Sequence, residues 1–166
     1  MRNLVAVPVI LLTVILQMAV ISRIYLLSGI ADLPLVMLAA WASQDDVDSA
    51  WQWAVATGLL VGFVSALPWV VPLVGYIAII ALARVLQQRV WQAPLLAMFS
   101  ITFLGTIVVS FLSLAALRLS GVSLPLSDVL GLVTLPSVLL NMLLAIPAYA
   151  VMRDLARWVY SAPEVE

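Results

Sequence analysis

The sequence predicts an all-α polytopic membrane protein, one integral membrane domain over 1–166 built as a compact bundle of six transmembrane helices. Three observations predict it. The chain has 166 residues, 66% of them apolar and 9% charged, with a mean hydropathy of +1.23. A soluble fold of this size leaves much of its side-chain surface in water, so lipid is the natural solvent for such a composition. The apolar residues also fall into runs, and a helix needs roughly 20 of them to cross the hydrocarbon core, so about six spans use nearly the whole length. Finally, Trp41, Trp51, Trp53, Trp69, Trp91 and Trp158 all stand at or just beyond the ends of those runs. Tryptophan favours the membrane–water interface, where its ring is half buried and its N–H stays wet.

The first span covers about 4–22 and breaks at Arg23 and the Ser28-Gly29 pair. Its length and the lack of a small-x-small cleavage site favour a membrane helix over a secretory signal. The second covers about 30–43; Asp32 followed by Pro34 is a plausible helix start. With only ten to thirteen apolar residues, this segment either crosses or is re-entrant or tilted. An acidic loop follows, with Asp45, Asp46 and Asp48, which reads as a solvated charge run or as a contact for a basic cytoplasmic partner. The third span, about 51–67, stops at Pro68 and Pro72, and the fourth runs over about 72–86 into the polar stretch Arg84–Arg89. The fifth takes about 93–117. After a Gly/Ser/Pro loop the sixth takes about 129–151, and 152–166 reads as a cytoplasmic tail along the membrane surface. Six crossings put Arg2, Arg84, Arg89, Arg153 and Arg157 on one side and Arg23 and Arg118 on the other. Basic residues are retained inside, so both termini are expected in the cytoplasm.

The sequence contains no Cys, no His and no Lys. Thiolate chemistry, disulfides and the commonest general base are therefore excluded. Every carboxylate and Arg falls at a span end by this reading, which argues against ion-coupled transport and intramembrane hydrolysis. No enzyme activity, cofactor, metal or nucleic-acid partner is expected.

Within the spans, Ala54, Gly58, Gly62 and Ala66 recur every four residues along one face. Such a face lets two backbones approach closely, either inside this bundle or against a partner's helix. Thr102, Thr106, Ser110 and Ser113 line another face, with back-bonding to their own helix as the default role. The strongest intramembrane polar groups are Gln17 and Asn141, each with a hydroxyl one turn earlier, at Thr13 and Ser137. An unpaired amide in hydrocarbon costs several kcal/mol, roughly, so both need partners: each other, or a small cavity that they line. Pro136, Pro147 and the Pro68/Pro72 pair free carbonyls that neighbours must satisfy.

Taken together, these motifs resemble the MreD family of bacterial rod-shape membrane proteins. Gln17 fits that family's first span, and Ala31-Asp32-Leu33-Pro34 keeps the Asp-Leu of its second-span start with the Pro moved. Gly58-Leu-Leu-Val-Gly62-Phe63 and Pro72-Leu-Val-Gly75-Tyr76 match its third and fourth spans. A following Gly-Leu-x-x-Asp is missing, with Ser65-Ala66-Leu67-Pro68 in its place. Leu135-Pro136 through Asn141, then Ala145-Ile-Pro147-x-Tyr149, follow the family's Pro…Asn…Pro pattern. The resemblance implies a non-catalytic scaffold in the bacterial cytoplasmic (inner) membrane. Its partners would be MreC, RodA with its penicillin-binding transpeptidase and, indirectly, MreB, in organising peptidoglycan synthesis and cell shape. Candidate partner or interhelical contacts are Gln17, Asp32, Pro34, Ala54, Gly58, Gly62, Ala66, Pro136, Asn141 and Pro147. The alternative is the substrate-binding S-component of an energy-coupling-factor vitamin transporter, a family that resembles MreD in fold. That role demands a pocket near the outer face, for which Tyr25, Asp32, Trp69, Tyr76 and Asp128 are the available groups.

Overall fold

A computed structural model describes residues 5–44, 47, 49–87 and 94–160. Arg2, Asp45, Asp46, Asp48, Arg89, Trp91 and the segment 161–166 lie outside the described residues. The fold is helical: α1 Ala6–Ala19, α2 Leu33–Ala42, α3 Ala50–Val64, α4 Val70–Gln87, α5 Pro94–Leu119 and α6 Leu126–Tyr160. A 3-10 turn, Ile21–Arg23, continues α1, and six residues of α6, Val129–Thr134, are π-helical. Among the described residues, three helices are long and apolar enough to cross a membrane: Ala6–Arg23, Pro94–Leu119 and Leu126–Tyr160.

The second segment starts its helix just after Asp32, as the Asp32 and Pro34 positions predict, but the rest of the expected 30–43 span is not helical. Only ten residues are helical, and a minimal antiparallel hairpin precedes them, β1 (Tyr25–Leu26) pairing with β2 (Gly29–Ile30). Instead of lying as an outer loop, the hairpin folds back against the start of α6. A β-carbon at Gly29 would sit 2.7 Å from both the Ser137 nitrogen and the Val133 oxygen, so only glycine permits this approach. From there α2 runs down the centre of the bundle. Leu35, Val36, Leu38, Ala39, Ala40, Trp41 and Ala42 are all buried, and α2 packs against all five other helices. A helix apolar all round belongs in such a place.

The face Ala54–Gly58–Gly62 is internal. A β-carbon at Gly58 would lie 2.7 Å from the Leu73 Cα, and one at Gly62 would lie 3.0 Å from the Trp69 Cα. The small residues thus bring the α3 backbone onto the start of α4, as close packing between membrane helices requires. The run ends there. Ala66 lies in the turn beyond Val64 and is exposed.

Two further expectations are corrected. Trp41 and Trp53 are not interfacial: both are buried and stack on each other, with ring centroids 4.3 Å apart. Trp51, Trp69 and Trp158 are exposed, as interfacial side chains would be. The expected surface tail from 152 is, as far as Tyr160, an uninterrupted continuation of α6. Met152 and Ala156 face the core, and the Tyr160 hydroxyl lies 3.2 Å from Ser49 Oγ. Pro147 sits inside α6 on its exposed side.

Because the atoms facing Gly58 are backbone, they cannot move aside. Gly58→Ala should therefore lower the melting temperature in detergent, at a cost of about 1–3 kcal/mol, the range for overpacking. Ala66→Leu, in the exposed turn, should leave the melting temperature unchanged.

Candidate functional site

The start of α2 lies deep in the bundle, level with Thr106 halfway along α5 and Asn141 near the middle of α6. A helix start exposes unpaired N–H groups, and a buried one must find a partner for each. Here every one is met. The Asp32 N–H donates to Asn141 Oδ1 at 2.7 Å, and the Leu33 N–H to Gln17 Oε1 at 2.8 Å. Position 34 is proline, which has no N–H to satisfy. The Leu35 N–H donates to Asp32 Oδ1 at 3.0 Å, the N-cap bond expected of that residue. The Val36 N–H then makes the first bond to the Asp32 carbonyl.

The two amides do not bond each other. They clamp the same three residues from opposite sides, Gln17 from α1 and Asn141 from α6. Gln17 Nε2 also donates to the Ala31 carbonyl at 2.9 Å, and Asn141 Nδ2 to Thr106 Oγ1 at 2.9 Å. Thr106 in turn donates to the Thr102 carbonyl, its own helix, at 2.7 Å. Thr13 similarly donates to the Val9 carbonyl rather than reaching Gln17.

The extended chain before α2 is stitched to α6 at alternate residues. The Ser28 N–H donates to the Leu132 carbonyl at 3.0 Å, the Ile30 N–H to Ser137 Oγ at 3.1 Å, and the Asp32 N–H to Asn141. Leu132 lies in the π-helical stretch Val129–Thr134 just before Pro136, and its carbonyl accepts the Ser28 N–H. The spacing also matches. Two residues of extended chain rise about 6.6 Å, and four to five helical residues rise about 6–7.5 Å, so strand and helix stay in register over three contacts.

Asp32 completes the knot through its side chain. The Tyr76 hydroxyl of α4 donates to the carboxylate, 3.1 Å from Oδ1 and 3.2 Å from Oδ2. Contrary to the expectation that carboxylates lie only at span ends, Asp32 therefore sits inside the bundle. It also lines two cavities of about 240 and about 450 Å³, which share Ile30, Asp32, Val109, Ser113, Val133 and Ser137. Ser110 and Leu117 extend the first along α5; Gln17, Ser65 and Tyr76 border the second. Both reach the end of the bundle that carries Ser22, the turn after α3 and the loop before α6. Tyr76 and the serines of α5 were readable as polar positions, but their convergence depends on the inward hairpin.

Of the residues expected to matter, Gln17, Asp32, Pro34, Pro136 and Asn141 meet at this junction. Ala54, Gly58 and Gly62 form the α3–α4 contact, while Ala66 and Pro147 join neither. Comparison with protein-family models, curated proteins and solved structures gives no match.

Replacing either amide with leucine strands buried groups. Gln17→Leu and Asn141→Leu should each cost about 1–3 kcal/mol in thermal unfolding. Both should speed hydrogen exchange at the amides of residues 30–35 more than in α5. Unchanged exchange there would show that the clamp does not hold the segment.

Proposed function

We propose that the chain is a non-catalytic, six-span membrane scaffold of the MreD type, with both termini in the cytoplasm of a bacterial cell. It binds MreC and helps organise the peptidoglycan-synthesis machinery of cell elongation. The observation that supports this reading is the junction. Gln17, Asp32, Pro34, Pro136 and Asn141, which carry much of the sequence resemblance, come from both ends of the chain and act together on one backbone segment. A shared architecture gives a reason for such residues to occur together; isolated polar substitutions do not.

Chain length supports six crossings. Residues 28–32 in extended form span about 13 Å and the ten residues of α2 about 15 Å, together close to the roughly 30 Å hydrocarbon core. The short second segment thus crosses as strand plus helix. Arg84, Arg153 and Arg157 stand at one end of the bundle, and Arg23 and Arg118 at the other, the asymmetry that favours cytoplasmic termini.

The small-residue face is taken up by α4, so partner helices must use other surfaces. Among the helices α1 is the most peripheral, burying only Ile10, Thr13 and Val14. Leu12 and Ile15 point outward from it, and we assign the MreC contact to this side. A second reading, capture of a small ligand as in a transporter S-component, is favoured by the cavity at Asp32.

Co-expression with the MreC-like protein of the same genome should yield a complex of near-equal stoichiometry in mild detergent. The absence of native cysteine makes single-cysteine probes clean, so Leu12→Cys or Ile15→Cys should cross-link to that partner's membrane helix. Failure to co-purify would sink the scaffold reading. For topology, Ser120→Cys should label from outside with a membrane-impermeant thiol reagent, and Gln44→Cys should not. Outside labelling at position 44 would rule out the crossing by residues 28–42.

A further inference from the structure

We propose that the cavity at the head of α2 binds a small organic cation, with a primary ammonium group seated on the Asp32 carboxylate. The inference deepens the ligand-binding reading above and does not depend on the scaffold role. Among the described residues lining the two cavities, Asp32 is the one charged side chain. Among the described residues, the ion pair formed is Arg153–Asp154, between exposed side chains near the far end of α6. The carboxylate is therefore held inside an apolar bundle with hydrogen-bond donors but, among the described residues, no cation beside it. An ionisable group in such a place is by default a functional one.

The geometry selects among ligands. A carboxylate offers about four acceptor positions, and Leu35 N–H and Tyr76 Oη–H occupy part of that capacity. An ammonium group, with three donors, suits what remains. Ser110 and Ser113 of α5 line the same space with hydroxyls able to accept further N–H bonds. Val109, Leu114 and Val133 supply apolar wall for an aliphatic or aromatic body. An anion is disfavoured: the N–H groups that usually attract one at a helix start are already taken by Gln17, Asn141 and Asp32 itself. A bare divalent ion is disfavoured as well. Ca²⁺ or Mg²⁺ would need six or more oxygen ligands and Zn²⁺ several Cys, His or carboxylate ligands, whereas one carboxylate and scattered hydroxyls line this space. The larger of the two adjoining cavities, about 450 Å³, falls in the range of small-molecule sites, and it reaches the end of the bundle assigned to the outside.

The test is thermal unfolding of the purified full chain in nanodiscs, titrated with butylammonium and phenethylammonium against butanol and 2-phenylethanol as neutral isosteres. The ammonium ions should raise the melting temperature saturably, and the alcohols should not. Asp32→Asn should weaken the apparent affinity at least tenfold; asparagine still caps the helix and still accepts from Tyr76, so the fold is retained. Should that variant fail to fold, Ser113→Leu, which fills the cavity from α5, should remove the response without changing the ligand-free melting temperature. Equal responses to amines and alcohols, or none to either, would overturn the cation assignment. So would an ammonium response that survives both substitutions. Charge-independent binding would leave the ligand-binding reading standing and remove only the cation.

Discussion

The architecture depends on one constraint: a helix begins in the interior of an apolar bundle, where its first N–H groups must find partners within the protein. Each unmet group in hydrocarbon would cost several kcal/mol, roughly. Five parts of the chain contribute to preventing this. Asp32 caps its own helix, Pro34 removes a donor, Gln17 of α1 and Asn141 of α6 accept the other two, and Thr106 of α5 accepts from the Asn141 amide. Because the clamp gathers three helices around three residues, it also fixes how those helices sit relative to α2. A single local requirement thereby becomes the organising contact of the whole bundle.

The hairpin follows from the same constraint. If α2 starts deep, the chain before it must descend from the bundle end without a helix to satisfy its backbone. It does so by pairing briefly with itself and then borrowing acceptors from α6 at Leu132, Ser137 and Asn141. Irregular backbone is tolerated at such depth only where protein surrounds it. Gly29 allows the approach, its Cα side lying against the Ser137 nitrogen and the Val133 oxygen.

Much of this junction was legible. The Asp32–Pro34 pair announced a helix start, the amides announced a need for partners, and ten to thirteen apolar residues left a crossing or a re-entrant or tilted segment open. The partner was not legible, because it is backbone, and backbone donors carry no mark in a sequence. The small-residue face of α3 was readable as a close contact, but which helix fills it depends on how sharply the chain turns after Val64. Trp41 and Trp53 were misplaced because tryptophan at a span end suits either an interface or a buried stacked pair. The continuation of α6 did leave a signal: Met152, Ala156 and Tyr160 repeat every four residues on one face. The charged residues Arg153, Asp154 and Arg157, read as an interfacial tail, lie between them on the same helix.

One feature of the junction is not explained by structure alone. Asparagine, serine or threonine would cap α2 about as well as aspartate, and each would accept a hydrogen bond from Tyr76. A carboxylate adds only the expense of burying charge, which insertion scales put at about 2.5–3.5 kcal/mol at the centre of a membrane helix. Gln17 and Asn141 show that neutral amides suffice for the other two donors. An acid at the third position therefore contributes something the fold does not require. The cavity beside it, lined by α5 hydroxyls and with no basic side chain among the described residues that line it, is where that contribution can act. A positive group arriving from outside the chain would turn the charge at Asp32 from a cost into an attraction, while the clamp holds the carboxylate at the cavity floor.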